Sequence, residues 1–190
     1  MIKKIIESSI NVKSAILNDE NLLKIINDVV GIVTNTFEND RKVFFCGNGG
    51  SAADAQHLAA EFSGRFYFDR APLFAEALHV NTSYLTAVGN DYGYEYIFSR
   101  LIQAKGRKGD VLIGLSTSGN SENIIKAFQQ AKAQGVITIG FTGLSGGKMK
   151  DFSDYLIAVP SYDTPRIQES HILIGHIMCE LVEKNLFENS

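Results

Sequence analysis

Apolar residues recur at spacings of three and four from the start of the chain: Ile2, Ile5, Ile6 and Ile10, then Leu22, Leu23, Ile25, Ile26, Val29, Val30 and Val33. That period gathers side chains on one stripe of a helix, and it breaks near Asn18 and Asp19, so residues 2–38 are predicted to form two helices. After Asp40 the texture changes to short apolar runs: KVFFCGNGGS, LFAEAL, VLIGLSTSGNS, VITIGFTG and YLIAVP. They predict five strands of four to six residues. Helical periodicity returns between them over 51–66, over 81–105 with a break expected at Gly89 to Gly93, over 119–134 and over 146–152. The stretch 165–187 opens on Pro165, which suits a first helical turn, and carries Ile167, Ile174, Ile177, Met178, Leu181, Val182 and Leu186 as an apolar stripe. A long C-terminal helix is predicted there. Strands alternating with helices give an α/β fold, a three-layer sandwich around a five-stranded, mostly parallel sheet. The terminal helices offer more apolar surface than one sheet needs for cover, so part of it is expected to be buried between subunits.

The composition narrows the function classes. A chain of 190 residues predicts one domain with a substantial core. With 18 Lys+Arg against 21 Asp+Glu the net charge is -3, and no basic block offers a footprint for nucleic acid or a membrane surface. No run approaches transmembrane length, and MIKKIIESSI carries Lys3, Lys4 and Glu7 where a leader would need apolar residues, so a cytoplasmic protein is expected. Cys46 and Cys179 fit no metal or disulfide spacing and are read as small buried hydrophobes.

Two strand-to-helix corners carry the polar residues of interest. In parallel sheets, ligands bind beyond the carboxyl ends of strands, where helix N-termini present free backbone N–H groups. Ser116, Thr117, Ser118 and Ser121, with Gly119 and Asn120 among them, supply hydroxyls enough for a phosphate cradle without a lysine. The same residues also make an ordinary helix cap. Gly47, Asn48, Gly49, Gly50 and Ser51 match neither the G-x-G-x-x-G dinucleotide spacing nor a Walker loop, so no nucleotide cofactor is expected. Three glycines in four residues imply close backbone approach to a ligand, and a sugar phosphate fits the two corners better than a nucleotide.

The helix SAADAQHLAAEFSGR places His57 and Glu61 four residues apart, on one face. That spacing suits a shared divalent metal, a base beside its orienting partner, or a solvated face; the Ala, Leu and Phe around the pair weigh against the last. His176 sits among Ile172, Leu173, Ile174, Ile177 and Met178, either as a core residue or as a functional group in a dry site. Gln168 lies eight residues earlier, about 12 Å along a continuous helix. For both to reach one ion, Gln168 would have to precede the first regular turn, or the two would have to come from different subunits.

Taken together, the ordered motifs CGNGGSAADAQHLAAEFSGR, VGNDYGYEYIFSR, GDVLIGLSTSGNS, TGLSGGKM and RIQESHILIGHI resemble those of the phosphoheptose isomerases, within the sugar-isomerase (SIS) superfamily, over almost the whole length. The resemblance implies one SIS domain over 1–190, with 1–38 as an N-terminal helical extension. It implies conversion of sedoheptulose 7-phosphate to D-glycero-D-manno-heptose 7-phosphate, the first step toward heptoses of bacterial lipopolysaccharide or capsule. It further implies a zinc ion and a homotetramer with sites at subunit interfaces. Carried over by position, Glu61 is the general base and His176 its acid/base partner, while His57, Glu61, Gln168 and His176 are metal ligands. Substrate contacts fall on Asn48, Gly49, Gly50, Ser51, Glu61, Asn90, Asp91, Ser116, Thr117, Ser118, Ser121 and Gln168. Pro165 stands where some relatives carry Asp, and Asp163 receives no role. A non-enzymatic SIS-fold scaffold that binds the bacterial replication initiator is the alternative; such relatives lack counterparts of Glu61 and His176. A tetramer with composite sites is expected, with Glu61 and His176 on different chains as the division of labour to test.

Overall fold

A computed structural model of the protein describes residues 1–188. Helices α1 (Ile2–Leu17) and α2 (Glu20–Glu38) meet at the predicted break, where the Asp19 carboxylate accepts a hydrogen bond from the Leu22 N–H and caps α2. The strands are β1 (Val43–Gly47), β2 (Ala75–Ala77), β3 (Val111–Leu115), β4 (Ile137–Gly143) and β5 (Tyr155–Val159). Between them run α3 (Gly50–Ser63), α4 (Thr82–Asp91), α5 (Ser99–Lys105) and α6 (Glu122–Ala133), with α7 (Thr164–Phe187) closing the described chain. The expected break in 81–105 is real, with a short 3-10 turn at Tyr94–Tyr96 separating α4 from α5. Residues Gly147–Phe152 form a 3-10 helix, and α6 begins at Glu122 because 116–121 is spent on the corner.

The sheet order is β2-β1-β3-β4-β5 and every pairing is parallel, so the expected mostly parallel sheet has no antiparallel strand. Alternation along the strands feeds two cores. Val43, Phe45, Val111, Ile113, Leu115, Ile139 and Phe141 pack with α2, α3 and α7. Phe44, Cys46 and Leu112 face the other way, against α4, α5 and α6. Both faces of the central strands are covered, which is why VFFCG and VLIGL read as unbroken apolar runs. The chain leaves β1 for β2 on one side, then crosses back to β3 on the other. This reversal opens a crevice at the carboxyl ends of β1 and β3, where Gly47 pairs with Leu115 and both glycine corners begin.

Helix α1 buries only Ile16; Ile2, Ile5, Ile6 and Ile10 stay exposed, as do Leu173 and Ile177 on α7. No helix among the described residues is long and apolar enough to cross a membrane.

Candidate active site

The two corners are joined across the crevice. The Asn48 and Asn123 amides pair reciprocally, Nδ2 of each donating to Oδ1 of the other at 3.0 and 2.9 Å, and the Tyr94 hydroxyl donates to Asn48 Oδ1 at 3.1 Å. Asn123, in the first turn of α6, is buried, so the pair locks the first corner to the second. At the second corner Ser116 and Ser121 place their hydroxyls 2.9 Å apart, and Ser118 Oγ accepts from the Asn120 N–H. The Ser121 side chain makes no cap bond to α6, which leaves hydroxyls and helix N–H groups available to an anion. Ser51 is buried in the first turn of α3. Asn90 and Asp91 end α4, exposed and hydrogen-bonded to each other at 2.9 Å, three and four residues before Tyr94 reaches the first corner.

A second cluster lies further along α3, where that helix packs beside α7. Gly50 lies against Gln168 and Leu58 against Gly175, so the two helices run in the same direction with matched residues side by side. A Cβ on Gly175 would come within 2.6 Å of the Leu58 methyls, so glycine is what lets the helices approach there. That approach brings His57 and Glu61 from α3 against His176 from α7. The two imidazoles meet at 2.9 Å through Nε2, and His57 Nε2 lies 3.2 Å from Glu61 Oε1. One ligand atom from each of the three falls within 4.8 Å of the others. Two imidazole nitrogens facing one another need a proton or a cation between them, and two His with one carboxylate make a donor set that suits a divalent metal with an open position.

A sequence profile of the SIS domain matches residues 7–143. The phosphoheptose isomerase of Aneurinibacillus thermoaerophilus is 59% identical over 99% of this chain and 95% of its own length. That of Clostridium acetobutylicum is 56% identical over 96% and 93%. Among solved structures, the phosphoheptose isomerase of Neisseria gonorrhoeae superposes with a TM-score of 0.90 at 42% identity, covering 96% of this chain and 97% of its own. The chain belongs to the phosphoheptose isomerase family of SIS-domain proteins. The Francisella tularensis member agrees, with a TM-score of 0.92 at 36% identity over 96% of both chains.

Within this family member, the residues singled out from the sequence separate into two groups. His57, Glu61 and His176 converge inside one chain, so the division that would put Glu61 and His176 on different chains is not needed to bring them together. Gln168 does not precede the first regular turn; it lies inside α7, against Gly50. It therefore belongs to the corner end of the α3–α7 pair, about 12 Å along the helix from His176. Asp54 lies half-buried one turn before His57, and burial raises its carboxyl above the usual range against the opposing pull of His57 and His176. Its signal was the spacing Asp54–His57 on one helical face. Nothing in the sequence singles out Asn123 or Tyr94, since only the fold brings them to the bridge between the corners.

Proposed function

We propose that the chain is an aldose–ketose isomerase that converts sedoheptulose 7-phosphate to D-glycero-D-manno-heptose 7-phosphate through an enediolate, the first step toward bacterial surface heptoses. The observation that carries this reading is the convergence of Glu61, His57 and His176 in a chain 59% identical to a phosphoheptose isomerase. Moving a carbonyl from C2 to C1 requires a proton to leave C1 and one to arrive at C2, with a second proton moving between the two oxygens. Glu61 takes a proton from C1 and delivers one to C2, exchanging its proton with solvent between the two steps. His176 trades protons with O1 and O2. The hydroxyls of Ser116, Thr117, Ser118 and Ser121, with Ser51 close by, hold the phosphate beside the N-terminus of α6, while Asn48, Gly49, Gly50, Asn90 and Asp91 hold the sugar chain. A scaffold role leaves the carboxylate and imidazoles unexplained.

His57, Glu61 and His176 would hold a zinc ion, which when bound supplies Lewis acidity toward the enediolate oxygens. Gln168 lies against Gly50, about 12 Å from His176 along its own helix, so a Gln168 from a neighbouring subunit would complete the ligand set and bring its phosphate corner with it. The exposed isoleucine stripe of α1, with Leu173 and Ile177, offers apolar surface for subunit contacts in the homotetramer of this reading. The reading places one SIS domain over the whole chain, in the cytoplasm. It is tested by offering the purified protein sedoheptulose 7-phosphate beside hexose and pentose phosphates. Turnover of the heptose with little activity on the shorter sugars is expected, and a preference for a shorter sugar would reject the substrate assignment.

A further inference from the structure

The isomerase reading leaves unused a buried ion pair at the far end of α3. The Arg70 and Glu183 side chains are 3% and 1% exposed and meet at 2.9 Å. Glu183 follows His176 by seven residues, so it emerges from the same face of α7 about 10 Å further on. Its carboxylate accepts the N–H groups of Phe66, Tyr67 and Phe68 at 3.0, 2.6 and 3.0 Å. Burial works to raise that carboxyl, but the three N–H groups and Arg70 outweigh it and hold it below its usual range. Arg70 turns its remaining donors on the carbonyls that α3 leaves open at its end. Nη2 donates to Glu61 O at 3.0 Å, and Nη1 to Phe62 O and Gly64 O at 2.7 and 3.1 Å.

The pair thus grips both halves of the triad. On one side it holds the backbone of Glu61 itself. On the other, the loop held by Glu183 carries Phe66, whose ring lies 5.8 Å from that of His176. A buried ion pair is a weak source of stability compared with a well-packed apolar pair, whereas its directed hydrogen bonds fix a register that apolar contacts leave loose.

We propose that Arg70 and Glu183 are positioning residues for the Glu61–His57–His176 cluster, fixing the last turn of α3 against α7 so that the carboxylate and the imidazoles converge. The activity arm of the test rests on the isomerase reading, and the metal arm does not. In Glu183→Gln either orientation of the amide sets an NH2 group against N–H donors, at unchanged volume. In Arg70→Lys the charge survives but the fork that spans several carbonyls is lost. For variants that fold cooperatively, kcat is expected to fall roughly 10- to 100-fold, because small misplacements of reacting groups are costly. KM is expected to stay within about threefold, since the serine corner on β3 and α6 is untouched. Zinc affinity of the metal-free protein, read by competition with a chromophoric chelator, should weaken about tenfold or more. Wild-type kcat and zinc affinity in a folded Glu183→Gln or Arg70→Lys would overturn the proposal, as would a kcat loss matching only the fraction unfolded. Should the wild-type protein itself not turn over the heptose, the isomerase reading fails, while the zinc measurement still decides the role of the pair.

Discussion

His171 is fully enclosed beneath the sheet, its Nε2 hydrogen-bonded to the Thr142 carbonyl at 3.1 Å and its Nδ1 without a hydrogen-bond partner among the described residues. Burial, opposed by that backbone bond, pushes its pKa down to about 4. A folded pKa below the unfolded value of about 6.5 means the unfolded chain takes up the proton first. Stability from the neutral ring is therefore present above about pH 6.5 and is lost as pH falls toward 4. Between pH 7 and pH 5 the loss should be about 2 kcal/mol, visible as a lower urea midpoint, and His171→Gln should flatten that dependence. An equal pH dependence in both proteins would place the acid sensitivity elsewhere. At the serine corner Ser121→Ala is expected to raise KM for the heptose phosphate roughly 10- to 100-fold, the worth of a hydrogen bond to a charged group. Residual turnover of the unphosphorylated heptose should be unchanged; equal losses on both sugars would count against a phosphate contact.

The packing of α3 on α7 turns two sequence spacings into a site. Gly175 permits the approach, so Gly175→Leu should force Leu58 aside, lowering stability by about 1–3 kcal/mol and zinc affinity with it. Calorimetric melting and the chelator competition would read the two effects, and unchanged zinc affinity would mean the cluster does not depend on this contact. Much of the element pattern was legible because burial wrote it: α2 shows its stripe, and β1 and β3 are apolar throughout because both their faces are covered. LFAEAL was readable as a strand but contributes only Ala75–Ala77, since β2 is an edge strand that pairs with β1 alone. His57 and Glu61 were legible as one helical face. That His176 would meet them depends on which way α7 runs past α3, a tertiary fact carried by Gly175 and Leu58 together. Arg70 and Glu183 stayed hidden for the same reason: 113 residues apart, each reads alone as an ordinary surface charge.

On the scale of the whole molecule, one chain holds two clusters of candidate site residues along the same helix pair, Gln168 with the glycine corner and His57, Glu61 and His176 further on. If neighbouring subunits complete each other, co-refolding Glu61→Ala with Gln168→Ala chains restores about a quarter of the sites, those in which neither residue is altered. Mixed subunits without recovered activity would require both residues of a site to come from one chain. Charged replacements of Ile6 and Ile10 should dissociate the assembly and lower activity with it, as light scattering beside the assay would report. The central claim, that Glu61 moves the carbon-bound proton of a sugar phosphate, is tested most directly by NMR of sedoheptulose 7-phosphate incubated in D2O. The wild-type protein should place deuterium at C2 of the aldose product and at C1 of the recovered ketose. Glu61→Gln, folded and nearly isosteric, should place none. Exchange by the variant at the wild-type rate, or no turnover by the wild type, would contradict the account.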